Sequence, residues 1–105
     1  MNITEFVKKT NDGKDYTLRP RIICNDGFAM SVQASNGAYC TPRKSNLQRY
    51  ESLEIGFPSE PEELISCYAE DSSDYKETVY PYTPAKLIDG VIVKHGGINK
   101  AKTFA

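Results

Sequence analysis

The sequence predicts an α+β fold, an antiparallel sheet of four or five strands with two main helices packed on one face. Three observations carry this expectation. Apolar residues alternate with polar ones over Phe28–Gln33 and Ser52–Phe57, the period of a half-buried strand. Asn25-Asp26-Gly27 supplies the positive backbone angles of a tight hairpin between extended segments. Leu87, Ile88, Val91, Ile92 and His95 recur at helical spacing before Gly96-Gly97.

The remaining elements follow in chain order. Residues 3–9 form a short helix with Asn2 as cap and Phe6 and Val7 turned inward, stopped by Asn11-Asp12-Gly13. Tyr16 to Cys24 is extended, and Pro20 within it favours an edge or a bulge. After the Asp26-Gly27 turn, Phe28, Met30 and Val32 face the core while Ala29, Ser31 and Gln33 face away. A second turn at Ser35-Asn36-Gly37 leads to Ala38–Thr41 as the third strand of a meander. Leu53, Ile55 and Phe57 point inward from a fourth strand. Ser59-x-x-Glu62 matches a capping box, so residues 60–69 read as a short amphipathic helix burying Leu64, Ile65 and Tyr68. Residues 77–82 form a fifth strand, again with a proline that favours an edge. Thr83 caps and Pro84 begins a helix over 84–95, and residues 98–105 form a tail that is only partly ordered.

At 105 residues the chain is sized for one domain with one core, and 39% hydrophobic with 26% charged residues is a globular balance. No apolar run is long enough to span a bilayer, and the N-terminal residues lack the basic start and apolar stretch of a secretion signal, so a cytoplasmic address is expected. Three cysteines without paired spacing, Cys24, Cys40 and Cys67, fit a reducing compartment and read as small buried hydrophobes. No internal repeat or interdomain linker is visible.

Charge is distributed unevenly. Glu51, Glu54, Glu60, Glu62, Glu63, Glu70, Asp71, Asp74 and Glu77 face one base, Lys76, between residues 51 and 79, a block of net charge −8. The first fifty residues are net +4 and the last 26 are net +3, so the overall −1 hides a dipolar chain. Such a field steers a charged macromolecular partner and rejects like-charged surfaces. Tyr68, Tyr75, Tyr80 and Tyr82 lie in or beside the acidic block, and tyrosine supplies large, stiff contact area at interfaces. The expected partner-binding residues are therefore Glu51, Glu54, Glu60, Glu62, Glu63, Tyr68, Glu70, Asp71, Asp74, Tyr75 and Glu77. The competing reading is that these acids mark an ordinary solvated face.

Other constellations are weaker. Cys24, Cys40, Cys67 and His95 match the donor types of a tetrahedral zinc site, but gaps of 16, 27 and 28 residues lack the close pairing that structural zinc sites use. A cysteine with His95 as base would make a thiol hydrolase, yet the end of a helix gives that histidine a simpler role against the helix dipole. Adjacent carboxylates, Glu62 with Glu63 and Glu70 with Asp71, point in different directions on a helix and indicate no acid–base pair. No glycine loop matches a nucleotide fingerprint, and no cofactor or metal is implied. Arg19, Arg21, Arg43, Lys44 and Arg49 near Tyr16, Tyr39 and Tyr50 would suit phosphate contacts with stacking, but a chain of slightly negative net charge argues against direct nucleic-acid binding.

Residues 16–33 (YTLRPRIICNDGFAMSVQ), 53–60 (LEIGFPSE), 78–82 (TVYPY) and 94–97 (KHGG) resemble a family of small accessory proteins carried by phages and other mobile elements of Firmicutes, some of which are anti-CRISPR inhibitors. The resemblance implies a non-enzymatic, cytoplasmic inhibitor whose partner is a type II-A CRISPR effector nuclease with its guide RNA. Such nucleases hold nucleic acid in cationic channels and read a flanking duplex through arginines, so an acidic DNA-mimic surface would block target binding. The alternative is a phage accessory or regulatory protein that binds nucleic acid through its basic N-terminal half.

Overall fold

In the computed structural model, which describes residues 1–15 and 18–105, the chain is an α+β fold with a four-stranded antiparallel sheet in the order β1-β2-β3-β4. The strands are β1 (Ile22–Ile23), β2 (Ala29–Gln33), β3 (Ser52–Gly56) and β4 (Val79–Pro84). The two main helices are α1 (Ile3–Thr10) and α2 (Ala85–Lys94), and a short α3 (Lys100–Thr103) follows. Phe6 and Val7 of α1 and Ile88, Val91 and Ile92 of α2 share one buried core with Met30 and Val32 of β2 and Leu53 and Ile55 of β3. Tyr80 is wholly buried there and its hydroxyl donates to the Tyr75 carbonyl, so a large polar side chain enters the core with its one O–H satisfied. No helix among the described residues is long and apolar enough to cross a membrane.

Helix α1 forms as the sequence suggests. Asn2 accepts the Glu5 N–H and Glu5 reaches back to the Asn2 N–H, a reciprocal cap, while the Ile3 N–H donates to Asp89 Oδ1 of α2 at 2.8 Å. The far end of α1 is held by Arg19. Its guanidinium donates to the carbonyls of Val7 (3.0 Å) and Ala34 (3.1 Å), to Thr10 Oγ1 (2.7 Å) and to Asn11 Oδ1 (3.0 Å), and the residue is buried. One side chain thereby ties α1, the segment before β1 and the end of β2 together. Replacing Arg19 with alanine strands the Ala34 carbonyl, while that of Val7 keeps the Asn11 N–H, and should cost about 1–3 kcal/mol in urea unfolding; lysine, which cannot present the planar fork, should recover less than half of it. The extended reading from Tyr16 reduces to β1 within the described residues, and Tyr16 and Thr17 lie outside them.

The first hairpin forms as expected, with Ile22 opposite Met30, Ile23 opposite Ala29 and Gly27 at φ +97° in its turn. The meander does not continue. Residues 38–41 form no strand, because β2 already has β1 on one edge and β3 on the other and offers no free ladder. Ala38 and Cys40 bury their side chains from a loop, and Thr41 makes a single bridge to Ser52. Phe57 also departs from expectation: the chain turns there at φ +50°, and the ring is 47% exposed rather than inward.

Three helix assignments need correction. Residues 60–69 do not form an amphipathic helix; only a single 3-10 turn, Ser66–Tyr68, is present. Ser59 does not cap it, since its hydroxyl accepts the Ala29 N–H at 2.9 Å and pins this segment to β2. Thr83 does not cap α2 either: it is buried in β4 and donates to the Tyr80 carbonyl, so the helix begins after Pro84 without a side-chain cap. Gly96 and Gly97, at φ +85° and +91°, end α2 as expected. The segment after them is not loose. Ile98 is buried and bridges Cys24, the Asn99 N–H donates to the Ile23 carbonyl, and buried Thr103 accepts the Ile23 N–H. This return covers the outer edge of β1, which would otherwise expose unpaired backbone.

Candidate protein-binding surface

The acidic block is split by the fold. Glu51, Glu60, Glu63, Glu70, Asp71, Asp74 and Glu77 are exposed, Glu54 is half-buried and Glu62 is buried. Glu60, Glu62 and Glu63 surround Lys94 at the C-terminal end of α2. Asp71, Asp74 and Glu77 occupy the turn before β4, where Asp71 accepts the Ser73 N–H at 2.9 Å and its hydroxyl at 2.6 Å. Those hydrogen bonds hold the Asp71 carboxyl below its ordinary pKa, and burial opposes them only weakly. Glu51 stands apart: its carbonyl accepts the Ala85 N–H at the start of α2, roughly 15 Å of helix from Lys94. Among the described residues, the one ion pair made by these seven is a loose contact of 3.8 Å between Glu63 and Lys94. Apart from that contact, none of the seven carboxylates is in an ion pair with a described residue.

Glu62 is the exception and a correction to the expected partner-binding set. Its carboxylate is 2% exposed and faces inward, where Oε1 lies 2.6 Å from His95 Nε2 and Oε2 accepts Lys94 Nζ at 3.0 Å and the Leu64 N–H at 2.9 Å. On the other side of the ring, His95 Nδ1 lies 2.6 Å from Asp26 Oδ2, and Phe28 stacks on the imidazole at 4.1 Å between centroids. His95 itself is buried. Asp26 sits in the β1–β2 turn, where its other oxygen accepts the Phe28 N–H, and Asn25 donates to the Gly96 and Gly97 carbonyls. The resulting clasp joins the first hairpin, the loop after β3 and the end of α2. A regular helix over 60–69 would carry Glu62 away from the buried Leu64–Tyr68 stripe; the irregular path instead buries Glu62 and leaves Leu64 38% exposed.

Burial alone would lower the His95 pKa, but the hydrogen bonds that the ring donates to Glu62 and Asp26 and the charges of those carboxylates outweigh it, and the ring is held charged above its ordinary 6.5. Desolvation likewise works against ionised Glu62, yet the Leu64 N–H, His95 and Lys94 together keep its carboxyl below the ordinary value. Asp26 is lowered by the Phe28 N–H and by His95. Linkage then fixes the sign. The imidazolium contribution is complete below pH 6.5 and disappears as pH rises through the raised folded value. The two carboxylate contributions are present above their unfolded pKa values and disappear as pH falls through the lowered folded ones. Urea midpoints should therefore peak between the carboxylate and imidazole ranges, and His95→Gln should flatten the alkaline limb.

The clasp has no vacant imidazole nitrogen, because each carries a carboxylate partner. Cys24, the buried thiol of the adjacent turn, is pushed up to about 11 by burial and by Asp26, away from the thiolate that a nucleophile needs. Burial raises Cys40 as well, whereas Cys67 is exposed, contrary to the expectation that all three cysteines are buried. Among the described residues, no group of three or more histidine, cysteine or acidic side chains is placed to hold a metal ion. The basic half is also partly consumed by the fold: Arg19 and Tyr50 are buried, and Arg21 donates to the Phe57 carbonyl at 2.6 Å.

Tyr68 and Tyr75 pack half-buried against the core. The exposed aromatic surface lies elsewhere. Between Leu53–Thr83 and Ile55–Tyr80, the β3–β4 ladder places Pro81 and Tyr82 opposite the single residue Glu54, a bulge. Tyr82 adopts φ +52°, unusual for a bulky residue, and its N–H donates to the Tyr39 carbonyl at 3.0 Å. Glu54 Oε1 accepts the Tyr39 N–H at 2.9 Å. Tyr39 and Tyr82, each 44% exposed, face one another with centroids 6.0 Å apart, and with Pro81 and Glu70 they line an open groove of about 230 Å³. Sequence reasoning places Tyr82 near the acidic block but groups Tyr39 with the basic half, whereas it reaches Tyr82 from the loop before β3. No known protein family, curated protein or solved structure matches this chain.

Proposed function

We propose that the chain is a non-enzymatic binding protein whose acidic surface occupies a cationic nucleic-acid-binding channel of a protein partner. Its partner is a guide-RNA-loaded type II-A CRISPR effector nuclease, met in the cytoplasm of a bacterial host, and target-DNA binding is the step blocked. The observation that supports this reading is the set of seven exposed carboxylates with a single loose ion pair among the described residues. A surface left without its own counterions gains most from meeting a partner's arginines and lysines. The resemblance to mobile-element accessory proteins names the partner; the charge distribution names the kind of surface.

A mobility-shift titration with the loaded nuclease and a labelled target duplex tests the proposal. The protein should prevent the nuclease–DNA shift at near-equimolar ratio to nuclease, weaken as salt rises, and give no shift with the duplex alone. Binding to free DNA with a steep salt dependence would instead favour the basic half as the working surface.

A further inference from the structure

Resting on the reading of the acidic face as a protein-binding surface, we propose that the Tyr39–Tyr82 groove is a receptor for a single arginine side chain of the partner. The groove combines the elements that guanidinium recognition requires. Two tyrosine rings stand tilted at 45° with their centroids 6.0 Å apart, both substantially open to solvent. Pro81 provides an apolar wall for a methylene stem, and Glu70 provides a carboxylate at the rim. That carboxylate makes no hydrogen bond or ion pair with any described residue, so its charge is available to a ligand. Only its main chain is engaged, through the N–H donated to the Val79 carbonyl, which fixes the residue beside β4.

Charge selects the occupant. Glu70 is the one charged residue lining the groove, so an anionic ligand would meet its carboxylate and a neutral one would forgo it. Arginine fits better than lysine because its flat, weakly hydrated guanidinium can lie on a ring face while its N–H fork reaches a carboxylate. The molecule already uses this contact once: Arg43 places its guanidinium 5.3 Å from the Tyr39 ring centroid, and it is not among the groove's lining residues. The β4 bulge supplies the rigidity, since it turns Tyr82 out of the sheet and fixes its backbone on Tyr39. Holding a tyrosine at positive φ costs about 1–3 kcal/mol, a strain that positions the ring without helping the core.

The test is a heteronuclear NMR titration of the whole chain with the blocked tripeptide acetyl-Gly-Arg-Gly-amide and with its lysine and citrulline counterparts. Saturable shifts centred on Tyr39, Tyr82 and Glu70 are expected with the arginine peptide, with affinity about threefold or more above that of the lysine peptide. Citrulline, which keeps the shape without the charge, should give none. Tyr39→Ala and Glu70→Gln, both at exposed positions, should abolish the response while leaving the thermal midpoint unchanged. Equal arginine and lysine responses spread over Glu60, Glu63 and Asp74, or no response at all, would overturn the groove assignment. Tighter binding of a proline-rich peptide at Tyr39 and Tyr82 would overturn it in favour of a polyproline ligand. The same variants assayed against the loaded nuclease keep the two proposals apart. Inhibition by wild type that survives Tyr39→Ala and Glu70→Gln sinks the groove and spares the acidic face, whereas a groove that binds arginine in a protein that inhibits nothing sinks the nuclease assignment alone.

Discussion

His95→Ala should lower the stability of the fold by about 3–5 kcal/mol, the loss that follows when one member of a buried charge pair is removed. The reason lies with the partner left behind. Glu62 is 2% exposed and depends on His95, Lys94 and the Leu64 N–H; without the imidazole, Oε1 of this buried carboxylate loses its hydrogen-bond partner. Asp26 is half-exposed and regains solvent, so its side of the clasp contributes less. Three segments nevertheless lose a shared anchor at this point, because the first hairpin, the loop after β3 and the end of α2 converge on the ring. In a domain whose total stability is of order 5–15 kcal/mol, the thermal midpoint should fall by roughly 15–25 °C. The companion variant His95→Leu with Glu62→Leu removes both charges at once and should recover much of the loss, since an apolar pair of similar volume pays no desolvation penalty. A midpoint within 2–3 °C of wild type for His95→Ala, corresponding to less than about 1 kcal/mol, would contradict the clasp.

The sequence announces the elements governed by local chemistry and conceals those governed by a distant partner. Asn2 with Glu5, Asp26-Gly27 and Gly96-Gly97 act within a few residues, and each produces the cap, turn or stop that its residue types favour. Ser59-x-x-Glu62 has the same local grammar and fails, because Ser59 is claimed by Ala29 and Glu62 by His95, 33 positions away. The helix dipole offered a sufficient reason for a histidine at that position, and burial makes the true one: a buried ring must satisfy both nitrogens. Nothing in the spacing distinguishes Asp26 and Glu62 from the other acids as its partners. Tyr39 was hidden for a related reason. Its strand-like neighbourhood suggested a meander, whereas the occupied edges of β2 leave it on a loop that crosses to the β4 bulge. The charge segregation was plain in the chain; which acids reach solvent was not.

The second large effect concerns the acidic face itself. Changing Glu60, Glu63, Asp71 and Asp74 to lysine reverses four exposed carboxylates without touching the core, and Glu62 must be left intact because a cation beside His95 and Lys94 would unfold the clasp rather than probe the surface. Like charges brought together across an interface cost several kcal/mol, so affinity for a cationic channel should fall by about a hundredfold or more. The thermal midpoint should change little, which separates loss of binding from loss of fold. The decisive measurement is therefore target-DNA binding by the guide-loaded nuclease in the presence of wild-type protein or this four-site variant, both shown to be folded. The expected result is blockade by the wild type and unimpeded DNA binding with the variant; equal blockade by the two would contradict a polyanion-mimicking surface.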